Sequence, residues 1–177
     1  MKALLKTLGM VLGLAMSASA ANATVLTTGT WDRFSFGGAG SDVAETYDFT
    51  IGSGYSLFVT DAYCMGDQFA VYDGASLLGE TSVVAYNPCG TAGEINPFGD
   101  QTLAQAAYDS GLYSTGEFAL GAGSYTGISL TALLSPFGGG AAYIKVDRST
   151  VPEPSTLLLL GAGMIGLVGV KKRKDRA

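Results

Sequence analysis

The chain has 177 residues, with 10 Lys+Arg, 15 Asp+Glu, 26 Gly, 2 Cys and no His. Glycine is therefore about 15% of it, roughly twice the usual share, and the length suits one modest domain. Without histidine there is no Ser-His-Asp or Cys-His catalysis, no imidazole metal ligand and no imidazole proton shuttle.

The averages conceal three segments. Seven of the ten basic residues lie at the ends: Lys2, Lys6, Lys171, Lys172, Arg173, Lys174 and Arg176. Residues 24–150 hold only Arg33, Lys145 and Arg148 against thirteen carboxylates, a net charge of −10. That acidity argues against nucleic acid as a partner, because phosphates would be repelled. All eighteen aromatic residues lie between Trp31 and Tyr143.

At the N-terminus, Lys2 and Lys6 precede an apolar run from Leu8 to Met16. Ala21-Asn22-Ala23 then offers small residues for a cut before Thr24, with Ala18-Ser19-Ala20 as the alternative site. This order is that of a secretory signal peptide over residues 1–23, served by the Sec machinery and signal peptidase. The run has no polar face, and it is shorter than the about 20 apolar residues that span a bilayer.

Residues 24–150 show period-two alternation broken by frequent turns, the pattern of an exported β-domain. Phe34 and Phe36 alternate with Arg33 and Ser35; Tyr47, Phe49 and Ile51 alternate with Asp48 and Thr50. Gly52-Ser53-Gly54 turns the chain into a strand from Tyr55 to Thr60. Phe69 and Val71 share a face before Asp73-Gly74, a hairpin signal leading into Leu77-Leu78. Gln101–Tyr108 is the one short helix expected. Phe118 and Leu120 precede the turn residues Gly121-Ala122-Gly123-Ser124, after which Ile128, Leu130 and Ala132 face away from Ser129 and Thr131. Ser135-Pro136-Phe137 and three glycines lead to a last strand, Ala142–Val146.

About eight strands at this spacing predict an all-β fold, an antiparallel β-sandwich or jelly roll. A signal helix and a C-terminal apolar helix would flank it. A domain of 127 residues hides roughly two-thirds of its unfolded surface, and the aromatics are expected in that core. The runs Val59–Tyr63, Gly66–Gly74 and Ser135–Gly140 resemble a recurrent β-sandwich ectodomain of secreted bacterial proteins. That resemblance implies a fold and no activity.

Cys64 and Cys89 both lie in the exported segment, where an oxidising compartment makes a disulfide between them the expectation. Closing the 24 intervening residues contributes on the order of 3 kcal/mol in the chain-entropy account. A two-cysteine metal or redox site would lack C-x-x-C spacing. Acidic residues gather in loops: Asp42, Glu45 and Asp48; Asp61 and Asp67; Asp73; Asp100. Calcium takes six to eight oxygen ligands and accepts irregular loops, so Asp61 and Asp67 are the candidates for it. No D-x-D-x-D-G loop accompanies them, and solvated acidic loops that keep an exported domain soluble are the plainer reading. No other cofactor is expected. Residues 24–150 contain no G-x-S-x-G, P-loop or zinc spacing, and nothing selects two carboxylates for glycoside hydrolysis. No catalytic residue is assigned.

The C-terminal segment, residues 151–177, has three parts. Val151-Pro152-Glu153-Pro154-Ser155-Thr156 leads into an apolar stretch from Leu157 to Val170, and Lys171-Lys172-Arg173-Lys174-Asp175-Arg176-Ala177 closes the chain. The 14 apolar residues reach roughly 21 Å as a helix, short of the ~30 Å hydrocarbon core. Lysine snorkelling and local thinning can make up the difference, and the basic end would stay cytoplasmic. Gly161-Ala162-Gly163-Met164-Ile165-Gly166 matches G-x-G-x-x-G, but the 11 residues after it cannot build a dinucleotide-binding unit. Small residues at a helix contact within the membrane explain it better.

These three parts in this order resemble the PEP-CTERM sorting signal of Gram-negative bacteria. The resemblance implies recognition of Pro152, Glu153 and Pro154 by exosortase, a membrane-embedded cysteine protease or transpeptidase. It also implies release or transfer to the cell surface, usually in species that make exopolysaccharide and biofilm. The physics agrees: two prolines hold the strip extended and keep it out of the helix that follows.

The sequence thus predicts a non-enzymatic protein exported through the inner membrane to the cell surface or extracellular matrix. Residues 157–170 would anchor it transiently until processing. A carbohydrate- or exopolysaccharide-binding module, with Tyr63, Tyr86 or Tyr113 stacking on sugars, is the alternative, and a secreted hydrolase comes third. An exposed aromatic strip would favour the module. A deep pocket with two converging carboxylates would favour the hydrolase.

Overall fold

A computed structural model describes residues 22–87, 89–90, 93–98 and 100–149. Residues 1–21, most of the signal peptide expected over residues 1–23, and the C-terminal tail, with Pro152, Glu153, Pro154 and the apolar stretch, lie outside the described residues. Among the described residues, no helix is long and apolar enough to cross a membrane.

Nine strands and one helix follow in order: β1 (Asn22–Val25), β2 (Asp32–Phe36), β3 (Glu45–Ile51), β4 (Tyr55–Thr60), β5 (Gln68–Asp73), β6 (Ser76–Glu80), α1 (Thr102–Ser110), β7 (Thr115–Leu120), β8 (Gly123–Leu134) and β9 (Gly140–Arg148). They form a five-stranded sheet ordered β1-β3-β8-β5-β6 and a four-stranded sheet ordered β2-β9-β4-β7. Every pairing is antiparallel except β1 on β3.

The alternating residues meet between the sheets. Tyr47, Phe49, Phe69, Val71, Ile128 and Leu130 from one sheet share a core with Phe34, Phe36, Leu57, Val59, Ile144 and Val146 from the other. The molecule is therefore a mostly-β, two-sheet sandwich. Phe34 and Phe36 both meet Phe69 edge-on, with centroids 5.4 and 4.8 Å away, the arrangement ring quadrupoles favour. Burying each of these side chains stabilises the fold by roughly 1.5–3 kcal/mol.

A second, smaller core lies on the outer face of the four-stranded sheet. Helix α1 lays Ala104 and Ala107 over Phe58 and Tyr143, and Trp31 and Tyr113 complete the cluster. With both faces covered, β4 is buried at every residue from Ser56 to Thr60. Lys145, also on this face, is held by Gln105 Oε1 at 2.8 Å and Asp147 Oδ2 at 3.1 Å, with its Nζ 4.9 Å from the Trp31 ring centre.

Three differences from the sequence reading stand out. The helix runs from Thr102 to Ser110, slightly later than expected, and β8 starts at Gly123, inside the predicted turn. The additional strand is β1, which pairs Asn22 and Ala23 with Glu45 and Thr46. It begins two residues before the expected cut at Thr24.

Candidate ligand-binding site

The loop between β4 and β5 carries the unusual chemistry. Asp61 is fully buried and Asp67 is 4% exposed, which corrects the reading of these two as solvated loop acids. The Asp61 carboxylate accepts hydrogen bonds from the Ala62 amide at 2.7 Å and from the Asp67 amide at 3.4 Å. It therefore staples the two ends of the loop together. Burial pushes Asp61 up to about 8 and the neighbouring Asp67 charge adds to this, while the loop amides oppose it. Burial likewise pushes Asp67 up to about 6, against the pull of the Ser135 hydroxyl. That hydroxyl lies outside hydrogen-bonding geometry, so Asp67 Oδ1 and Ser135 Oγ are both buried without a partner.

Asp61 and Asp67, the calcium candidates, are thus side by side. Among the described residues, no group of three or more His, Cys, Asp or Glu is placed to hold a metal ion.

The same loop contains Tyr63, a non-glycine residue at φ 75°, a region that side chains normally avoid. Its amide donates to Ile95 O at 3.0 Å, and the next residue forms the Cys64–Cys89 disulfide, with Cα atoms 4.6 Å apart. Gly66, at φ +120°, is pressed so close that a Cβ there would meet Pro136 Cγ at 3.1 Å and Tyr86 Cα at 3.3 Å.

This loop walls one side of a pocket of about 490 Å³, with the β8–β9 turn opposite and Arg33, Asp67, Asn96 and Tyr143 among its lining. The size is that of a small-molecule site. Aromatic rings in its lining stand exposed: Phe98 is 76% exposed, Tyr63 42% and Phe137 39%, with Tyr86, 55% exposed, beside them. Each has a support. The Arg33 guanidinium lies 5.3 Å from the Phe98 ring centre, and Phe137 packs on Tyr86 with centroids 5.1 Å apart. Beyond Tyr86 lies a second cavity of about 440 Å³, bordered by Met65 and Leu112.

Of the three tyrosines singled out in the sequence, Tyr63 and Tyr86 reach this surface. Tyr113 does not: it is buried, its hydroxyl oxygen accepting the Ile95 amide hydrogen at 2.6 Å. The helix roof over the four-stranded sheet is what encloses it. Phe98 and Phe137, expected in the core, are instead at the rim. A repeated tripeptide marks them, Pro97-Phe98-Gly99 and Pro136-Phe137-Gly138, each in turn-rich sequence outside any alternating run. Among the described lining residues, Asp67 is the one carboxylate.

The chain leaves the sandwich at Ser149, whose amide donates to Gly54 O at 2.9 Å and whose hydroxyl donates to Glu117 Oε1 at 2.7 Å. The family model for the PEP-CTERM protein-sorting motif matches residues 150–174. Those residues are a PEP-CTERM sorting motif. The motif marks the protein for export and for C-terminal membrane anchoring before exosortase cleavage. The matched range starts at the residue after Ser149. Comparison with curated proteins finds no match. Among solved structures, the pre-peptidase C-terminal domain of a collagenase from Bacillus anthracis is similar over 71% of this chain and 92% of its own. The two are 14% identical with a TM-score of 0.35, and no argument rests on that likeness.

Proposed function

We propose that this is a non-enzymatic surface protein: signal peptidase and exosortase trim it at both ends, and its sandwich, wrapped as a jelly roll, is the part delivered outside. The PEP-CTERM motif at residues 150–174 carries this reading. The jelly-roll wrapping is supported by β2 to β9 alternating between the sheets, the β5–β6 hairpin apart, to give the orders β2-β9-β4-β7 and β3-β8-β5-β6. Intact mass of the protein recovered from the native host's surface and medium tests it. A species ending near Pro154 is expected, whereas one retaining Leu157–Ala177 would mean a permanent tail anchor and sink the exosortase step.

A second reading, that the delivered domain is a binding module, is favoured by the exposed rings of Tyr63, Phe98 and Phe137 around one concave surface, with Tyr86 packed on Phe137 beside it.

A further inference from the structure

We infer that the pocket between the Tyr63 loop and the β8–β9 turn binds a neutral sugar chain, with Phe98, Phe137 and Tyr63 as the stacking surfaces. The inference rests on the binding-module reading and names its site and ligand class.

A pyranose ring has an apolar face of C–H bonds and an edge of hydroxyls. It therefore needs a flat aromatic surface beside hydrogen-bonding groups, which is what this pocket offers. The rings of Tyr63, Phe98 and Phe137 share the lining with Asn96, Arg33 and Asp67. Asn96 Oδ1 already accepts the Phe98 amide hydrogen at 2.9 Å, which fixes the Pro-Phe-Gly turn and leaves the side-chain NH₂ as a donor. Asp67 contributes a buried oxygen with no partner in the fold, the kind of group a ligand or its bound water completes. A protein-binding patch would instead present a contiguous apolar centre with a polar rim; here the exposed polar side chains of Arg33 and Asn96 lie among the rings of the lining.

The rings are also held ready before any ligand arrives. Tyr63 is locked by its backbone bond to Ile95 and the adjacent disulfide, Phe98 by Arg33, and Phe137 by Tyr86. Fixing them in advance lowers the ordering cost of binding. The Tyr86–Phe137 pair, its rings tilted by 31°, joins the two cavities, Phe137 lining one and Tyr86 the other, so an occupant crossing both must be a chain of several sugars. Charge argues against an acidic chain as well. Residues 24–150 carry a net charge of −10, and the charged groups described in the pocket are one Arg33 and one Asp67, so a polyanion would be repelled overall.

Placement suits the task. Gly140 at the start of β9 lines the pocket, while Arg148 at its end adjoins the sorting motif. At about 3.3 Å per residue, the two ends lie roughly 26 Å apart, so the pocket points away from the anchoring side.

The test is affinity electrophoresis of the full chain in mild detergent through gels containing dextran, galactomannan, xylan or alginate. Phe98→Ala and Tyr63→Gly are run beside the wild type. Neither variant threatens the fold, since Phe98 is mostly exposed and glycine adopts φ 75° freely; unchanged melting confirms this. Retardation by at least one neutral polysaccharide is expected, weakened roughly tenfold by Phe98→Ala. Retardation of the variants equal to wild type would place binding elsewhere, leaving the module reading but removing this site. Retardation by alginate alone, abolished by salt, would overturn the neutral ligand. No retardation in any gel overturns the inference and the module reading together. Sedimentation showing Phe98-dependent self-association without glycan binding would assign the surface to a second copy of the chain.

Discussion

Asp61 and Asp67 make the stability of this domain depend on pH in an unusual direction. Their folded-state values of about 8 and about 6 lie above the unfolded carboxylate value near 4, so the folded protein binds more protons between those limits. Stability is therefore fullest below about pH 4 as far as this pair is concerned, and it falls as pH rises to about 8. The melting midpoint should decline across that window in differential scanning fluorimetry, and a rising or flat profile would remove the pair as its cause. Asp67→Asn, which relieves the like-charge burial, should raise the midpoint at pH 8 and flatten the profile. Each kcal/mol recovered corresponds to roughly 3–6 °C in a domain of this size. Calcium and chelator should give the same midpoint, because two carboxylates are a sparse set for an ion that takes six to eight oxygens. The burial of these acids was not legible in the sequence. They follow the clear alternation of β4 in a segment with the composition of any polar loop, and the loop's own Ala62 and Asp67 amides, which donate to the Asp61 carboxyl oxygens, help make its buried position tolerable.

Among the strands, β1 bears on where processing occurs. Its parallel pairing uses Asn22 and Ala23, so a cut before Thr24 would remove half the strand, while a cut after Ala18-Ser19-Ala20 would keep it whole. N-terminal sequencing of the exported protein is expected to begin at Ala21; a start at Thr24 would show that the half-strand is dispensable. At the opposite edge, Phe118 closes the seam between β6 and β7 by fitting between two glycines. A Cβ at Gly116 would lie 2.6 Å from its Cζ, and one at Gly79 2.8 Å from its Cε1. Gly116→Ala should therefore lower stability by about 1–3 kcal/mol through overpacking, read as a lower urea midpoint. The period-two strands were legible because one face of each must be apolar. β1 was not, since its Ala and Asn residues look the same in a signal peptide, and Tyr113 was misplaced because a nine-residue helix roofs a sheet face that alternation alone would leave wet.

For the molecule as a whole, the tail was the most legible part, because the PEP-CTERM motif at residues 150–174 is a pattern in the linear sequence. The pocket was the least legible, because Arg33, Tyr63, Phe98 and Phe137 come from four separated stretches of chain and only folding brings them together. The disulfide at its wall should matter to both stability and binding. Reduction under native conditions is expected to lower the urea midpoint by the equivalent of about 3 kcal/mol and to free Tyr63 from its fixed pose. The central position of β9 has a mechanical consequence. β9 is hydrogen-bonded to β2 on one side and β4 on the other, antiparallel to both, and the tail continues from it. A load applied at the far end through Arg33, which sits in β2, and Tyr63, which follows β4, passes into β9 sideways through both ladders. Those hydrogen bonds are then pulled along the strand axis and share the force in shear, instead of opening one at a time. A domain held at the surface through the residues that follow β9 and dragged by a bound polymer in flowing water would meet that drag as shear.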